Sequence, residues 1–181
     1  MFRFRIAPAL SIAVLGLILA GLLGASAASA QDMGFRGWGV RAGLSSDPDQ
    51  FVVGMHLNLG ELAENLRFVP NTDIGFGDDL TVFTLNPELN YVLGLPEAGN
   101  LYFGGALGFV YTKLDTDIDL DVDGDGDDDI DDSDTDVGIA GVIGYEPPTE
   151  DLPIFFDLKI GITDEYPDLK FMVGYTFGAG D

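Results

Sequence analysis

Between Leu101 and Thr112 the chain reads LYFGGALGFVYT, and alternate positions separate into two sets. Leu101, Phe103, Leu107, Phe109 and Tyr111 share one phase, while Gly104, Ala106, Gly108 and Val110 share the other. Successive side chains of a strand point to opposite faces, so this segment reads as a strand with one bulky apolar face and one small face. The same period recurs between turn signals rich in Asp, Gly, Pro and Asn. It predicts strands over 35–44, 51–59, 66–76, 80–93, 101–112, 136–146, 153–163 and 168–177. Most are about ten residues long, the length a tilted strand needs to cross a bilayer. After residue 30 no amphipathic helical pattern is found.

The two phases differ in kind. One carries Arg41, His56, Asn58, Arg67, Asn71, Asp73, Thr84, Asn86, Glu88, Asn90, Asp157, Lys159, Lys170 and Thr176 among many glycines. The other is bulky and apolar, as in Trp38 and Val40, Phe51, Val53 and Met55, Phe83 and Leu85, and Phe171, Val173 and Tyr175. Periodicity alone does not say which phase faces inward, because a soluble, lipocalin-like barrel holding a hydrophobic ligand would enclose the apolar set. Volume separates the two. Eight strands enclose little more than ordinary side chains can fill, so a glycine-rich polar phase fits inside and the large apolar phase does not. A soluble surface would also be dense in Lys and Glu, and this polar phase is not. The expected fold is therefore an all-β, eight-stranded antiparallel up-and-down transmembrane barrel.

Ahead of the strands, residues 1–30 open with Arg3 and Arg5, run apolar from Ile6 to Leu23, and end in Ala25-Ser-Ala27-Ala-Ser-Ala30. The apolar run is long enough for an uncleaved anchor, but the small-residue tail favours a secretory signal cleaved after Ala30, leaving residues 31–181 as one barrel domain. An exported chain with alternating strands implies the outer membrane as its location. Eight Lys and Arg stand against 31 Asp and Glu, a net charge of −23, which makes nucleic acid a poor partner. There is no cysteine, hence no disulfide framework and no thiol chemistry.

With an N-terminus on the periplasmic side, Trp38, Tyr91, Tyr145 and Tyr175 fall near the periplasmic ends of their strands, in the manner of an aromatic girdle. The same polarity sends residues 113–135 to the cell exterior. In these features the chain resembles the small eight-stranded outer-membrane barrels of the outer membrane protein A and X type. The resemblance covers residues 31–177 and rests on the export signal, the alternating strands and a closing strand, Leu169 to Phe177, that ends in an aromatic. It implies insertion by the barrel assembly machinery, which reads such a terminal aromatic, and contact with outer-membrane lipid and lipopolysaccharide. Here Phe177 is followed by Gly-Ala-Gly-Asp.

Inside the barrel, Arg41, Arg67, Lys159 and Lys170 would share a small space with Asp73, Glu88, Asp157 and, near one mouth, Glu146. Charges held there are expected to pair, because an unpaired buried charge is very costly. The result is a polar plug in preference to a conducting pore or transport barrel. His56 is the lone histidine, expected as a hydrogen-bonded interior side chain. The serines beyond the export segment, Ser45, Ser46 and Ser133, fall in loops on this reading, so no Ser-His-carboxylate constellation is evident and the chain is not expected to be an enzyme.

The acidity is concentrated, with 13 aspartates between Asp115 and Asp136. Within them Asp121-Val-Asp123-Gly-Asp125-Gly126-Asp-Asp-Asp129-Ile-Asp-Asp132 fits D-x-D-x-D-G-x-x-D-x-x-D, in which alternating carboxylates converge on one hard cation and the glycine supplies the sharp turn. It looks like a thrombospondin type-3 repeat or a dockerin-type calcium loop. On that resemblance Asp121, Asp123 and Asp125 would be side-chain ligands to calcium. Asp127 would offer its carbonyl, Asp129 would act directly or through water, and Asp132 would complete the shell. The alternative for so acidic a segment is a solvated, self-repelling loop.

Overall fold

The computed structural model describes residues 32–77, 80–114, 133–149 and 152–178. The export segment 1–30 and the aspartates Asp121, Asp123, Asp125, Asp127, Asp129 and Asp132 lie outside the described residues.

The described chain is all strand and turn. Its segments are β1 (Asp32–Ser46), β2 (Gln50–Ala63), β3 (Leu66–Phe68), β4 (Asn71–Gly77), β5 (Leu80–Asn86), β6 (Glu88–Leu95), β7 (Gly99–Leu114), β8 (Ser133–Glu146), β9 (Ile154–Gly161) and β10 (Leu169–Phe177). β3 and β4 both pair with β2, and β5 and β6 both pair with β7, so each couple is one wall strand in two pieces. Every pairing is antiparallel between neighbours in the chain, and β1 joins both β2 and β10. The result is a closed eight-stranded antiparallel up-and-down barrel. Closure leaves no free sheet edge.

The two interruptions fall at Val69-Pro70 and Pro87, within the expected strands 66–76 and 80–93. Proline has no N–H to give to a ladder. Each still accepts, since Leu57 N–H donates to the Pro70 carbonyl at 2.9 Å and Leu107 N–H to that of Pro87 at 3.1 Å. The face alternation also survives, for Thr84, Asn86, Glu88 and Asn90 are all buried on one side of Pro87 and beyond it. The β7–β8 hairpin runs further than its sequence signals suggest, with pairing from Asn100–Glu146 out to Lys113–Ser133. Ser45 and Ser46 accordingly close β1 and Ser133 opens β8, where loops were expected; the Ser45 hydroxyl donates to the Pro48 carbonyl at 3.0 Å.

Alternation sorts the side chains by face. Met172 is 0% exposed, whereas its neighbours Phe171 and Val173 are 45% and 39% exposed. The interior is polar at its centre and the outer wall is apolar. At one end of the barrel, here the loop end, lie residues 47–49 and 162–168; at the other, the turn end, lie 64–65, 96–98, 147–149 and 152–153.

Candidate functional site

The interior is built by inward-facing residues of nearly every wall strand. Arg41 on β1 donates from Nε and Nη2 to the two carboxylate oxygens of Asp73 on β4, at 2.7 and 2.8 Å. Its Nη1 lies 3.6 Å from Asp157 on β9, and Nη2 also donates to Asn71. Lys170 on β10 reaches Asp73 at 3.1 Å. Lys159 on β9 donates to Glu88 on β6 at 2.6 Å and to Asn71 at 3.2 Å. The amides of Asn71 and Asn90 donate to the two oxygens of Glu88 at 2.9 and 2.6 Å.

All of these groups are buried, and Arg41, Lys159 and Lys170 balance Asp73, Glu88 and Asp157 in charge. Balance is the condition for keeping them ionised away from water. Because partners come from strands on opposite sides, the network also holds the wall across its own lumen. Arg67 and Glu146 stand apart from it. They pair with each other at the turn end, partly exposed, where Asn100 also donates to Glu146 at 3.0 Å. The eight expected charges are thus brought together as a central cluster and a separate mouth pair.

His56 points inward on β2. Its Nε2 lies 3.0 Å from the Thr176 hydroxyl, and its ring meets Phe155 edge-on at 5.0 Å. Among the described residues no group of three or more His, Cys, Asp or Glu is placed to hold a metal ion.

Three inward aromatics were missed by the sequence reading. Tyr102 and Phe155 share the phase of Ala106 and Asp157, so the alternation that identified those residues could have found them. Tyr166 could not have been found that way, because it belongs to the connection 162–168, which folds back into the loop end. There it packs with Val82, Val110 and Ala140, and its hydroxyl donates to Asn86 at 3.1 Å. Burial raises its pKa to about 12, which keeps the phenol a donor. Lys170 lies 5.3 Å from the centre of its ring.

Inward glycines make room for these large groups. A Cβ at Gly174 would strike the Phe155 ring, one at Gly144 the Tyr102 ring, and one at Gly108 the Tyr166 ring. Side chains from one strand therefore fill slots left by the next, and the interior is occupied at three levels: the Tyr166 cluster, the charged centre, and Tyr102 with Ala106 and Val142.

The outer wall is the reverse. Leu44, Phe51, Phe76, Phe83, Phe103, Ile143 and Phe171 are among the large apolar side chains it exposes all round the barrel. Toward the turn end Trp38 stacks on Phe177 and Tyr175 tilts against Phe177, each with centroids 4.7 Å apart, while Tyr91 meets Phe103 at 5.6 Å. No protein-family model matches this chain, and no curated protein matches it.

Proposed function

We propose that this protein is an integral outer-membrane β-barrel with a structural and surface-interaction role, displaying the acidic segment 113–135 outside the cell. The observation that carries this is the exposed apolar wall around a closed barrel with a charged interior. Such a surface in water would be an aggregation site, whereas hydrocarbon covers it at no cost to hydrogen bonding. The aromatic cluster at the turn end suits the level of the lipid headgroups. The loop end then faces outward, toward lipopolysaccharide. The soluble, ligand-holding alternative needs the apolar phase inside, and the pore alternative needs an open lumen; neither arrangement is the one described above. No enzymatic role is assigned.

A heat-modifiability gel on fractionated membranes tests this reading. Unboiled protein in the outer-membrane fraction should migrate differently from boiled protein, and a soluble, unshifted band would refute an outer-membrane location.

For the acidic segment, the spacing of Asp121, Asp123, Asp125, Asp127, Asp129 and Asp132 around Gly126 supports a calcium site. Calcium would join carboxylates that otherwise repel one another, ordering the segment for divalent bridging to anionic surface groups. Calorimetry on the folded protein should give binding heat at up to millimolar calcium, abolished in Asp125→Asn/Asp129→Asn. Absence of heat in the unaltered protein leaves a solvated acidic loop.

A further inference from the structure

Among the described residues three buried polar atoms have no hydrogen-bond partner: His56 Nδ1, Asn90 Oδ1 and Asp157 Oδ1. All three residues line one cavity of about 30 Å³, between the charged centre and the Arg67–Glu146 mouth. That coincidence carries the inference. Asn90 is fixed in orientation, because its amide nitrogen donates to Glu88 at 2.6 Å, so the atom left over is an acceptor in need of a donor. Asp157 Oδ1 is likewise an acceptor, and its carboxylate has only the long 3.6 Å approach of an Arg41 already engaged with Asp73.

We infer that this cavity is a binding site for a small neutral hydrogen-bond donor, namely water, and that the barrel is hydrated from its turn end alone. Two acceptors and an imidazole nitrogen match the two donors and two lone pairs of water, and the cavity has room for about one or two such molecules. A cation is the poorer fit. The buried charges of the interior as a whole already balance, Arg41, Lys159 and Lys170 against Asp73, Glu88 and Asp157, and a further positive charge would be left unneutralised in a low-dielectric space. The opposite half of the interior differs in kind. There Asn86 gives its amide hydrogens to Asn71 and Thr84 and accepts from Tyr166, so its polar atoms are supplied by the protein, above which Val82, Val110 and Tyr166 form an apolar layer. The barrel is then a cup, wet at one end and dry at the other. This holds whatever surrounds the outer wall.

The test uses isotope-labelled folded protein in detergent micelles and magnetisation transfer from water. The Asn90 side-chain amide should show transfer from long-lived bound water and that of Asn86 none; no transfer at Asn90, or equal transfer at both, would overturn the site. Titration with ammonium or potassium should leave the Asn90 signals in place, and a saturable shift would overturn the neutral guest. Because the chain has no cysteine, single thiols report the route. In intact barrels Asn58→Cys, at the cavity, should react with a small water-soluble thiol reagent at least tenfold faster than Val82→Cys, behind Tyr166. Equal or reversed rates would overturn one-sided access.

Discussion

At the scale of residues, the interior depends on pairing more than on any one charge. Lys159 is fully buried and its partner Glu88 is 2% exposed, so removing the ammonium leaves a carboxylate with no cation at hydrogen-bond distance. Lys159→Met should cost about 3–5 kcal/mol, while Lys159→Met/Glu88→Gln should cost less than Lys159→Met alone. Urea unfolding in lipid vesicles measures both. A double variant that loses the sum of the two single losses would mean the pair is not coupled. The identity of these residues was legible in the sequence, since Arg41, Asp73, Glu88, Asp157, Lys159 and Lys170 stand in one phase of their strands. Who pairs with whom was not. Arg41 and Asp73 are 32 positions apart and Lys159 and Glu88 are 71 apart, distances that only closure of the wall removes.

At the scale of elements, alternation decides which face a strand gives to which surroundings, and adjacent residues of β10 make a direct comparison. Met172 faces the interior and Val173 faces out. If the outer wall lies in lipid, Val173→Arg should destabilise the barrel by about 2–4 kcal/mol in vesicles, the depth-dependent cost of a charge on a lipid face. On a water-facing surface the same change would be near neutral. Equilibrium unfolding of the variant in vesicles distinguishes them, and a neutral result would count against lipid contact. The sequence placed all eight wall strands within a few residues of where they lie. It misjudged the ends of β7 and β8, because β5 stays paired with β7 as far as Leu80–Leu114 and β7 in turn carries β8 as far as Lys113–Ser133. It also carried one strand on to residue 163 and treated 164–167 as a plain connection. The hydrogen bonds from Ile162 N–H to Ile139 at 2.8 Å and from Ile139 N–H to Thr163 at 3.1 Å instead turn that segment inward and set Tyr166 in the mouth.

At the scale of the whole molecule, a closed wall with an occupied interior is a poor conductor. The Tyr166 cluster and the charged centre block the axis in succession, so purified protein in planar bilayers should give no steady single-channel current. A large, sustained current from pure protein would show that the plug opens. What the sequence by itself determined was the strand count, the alternation and the split between a bulky apolar phase and a small polar one, because each is a local property of period two that neighbouring residues carry. It also supplied the volume argument for which phase fits inside, since side-chain size needs no coordinates. Only the tertiary structure decided the separation of Arg67 and Glu146 from the central cluster, the glycine slots that receive Phe155, Tyr102 and Tyr166, and the cavity left beside Asn90 and Asp157. Those depend on strand register and on the meeting of distant strands across the lumen, and neither is encoded in any one stretch of chain.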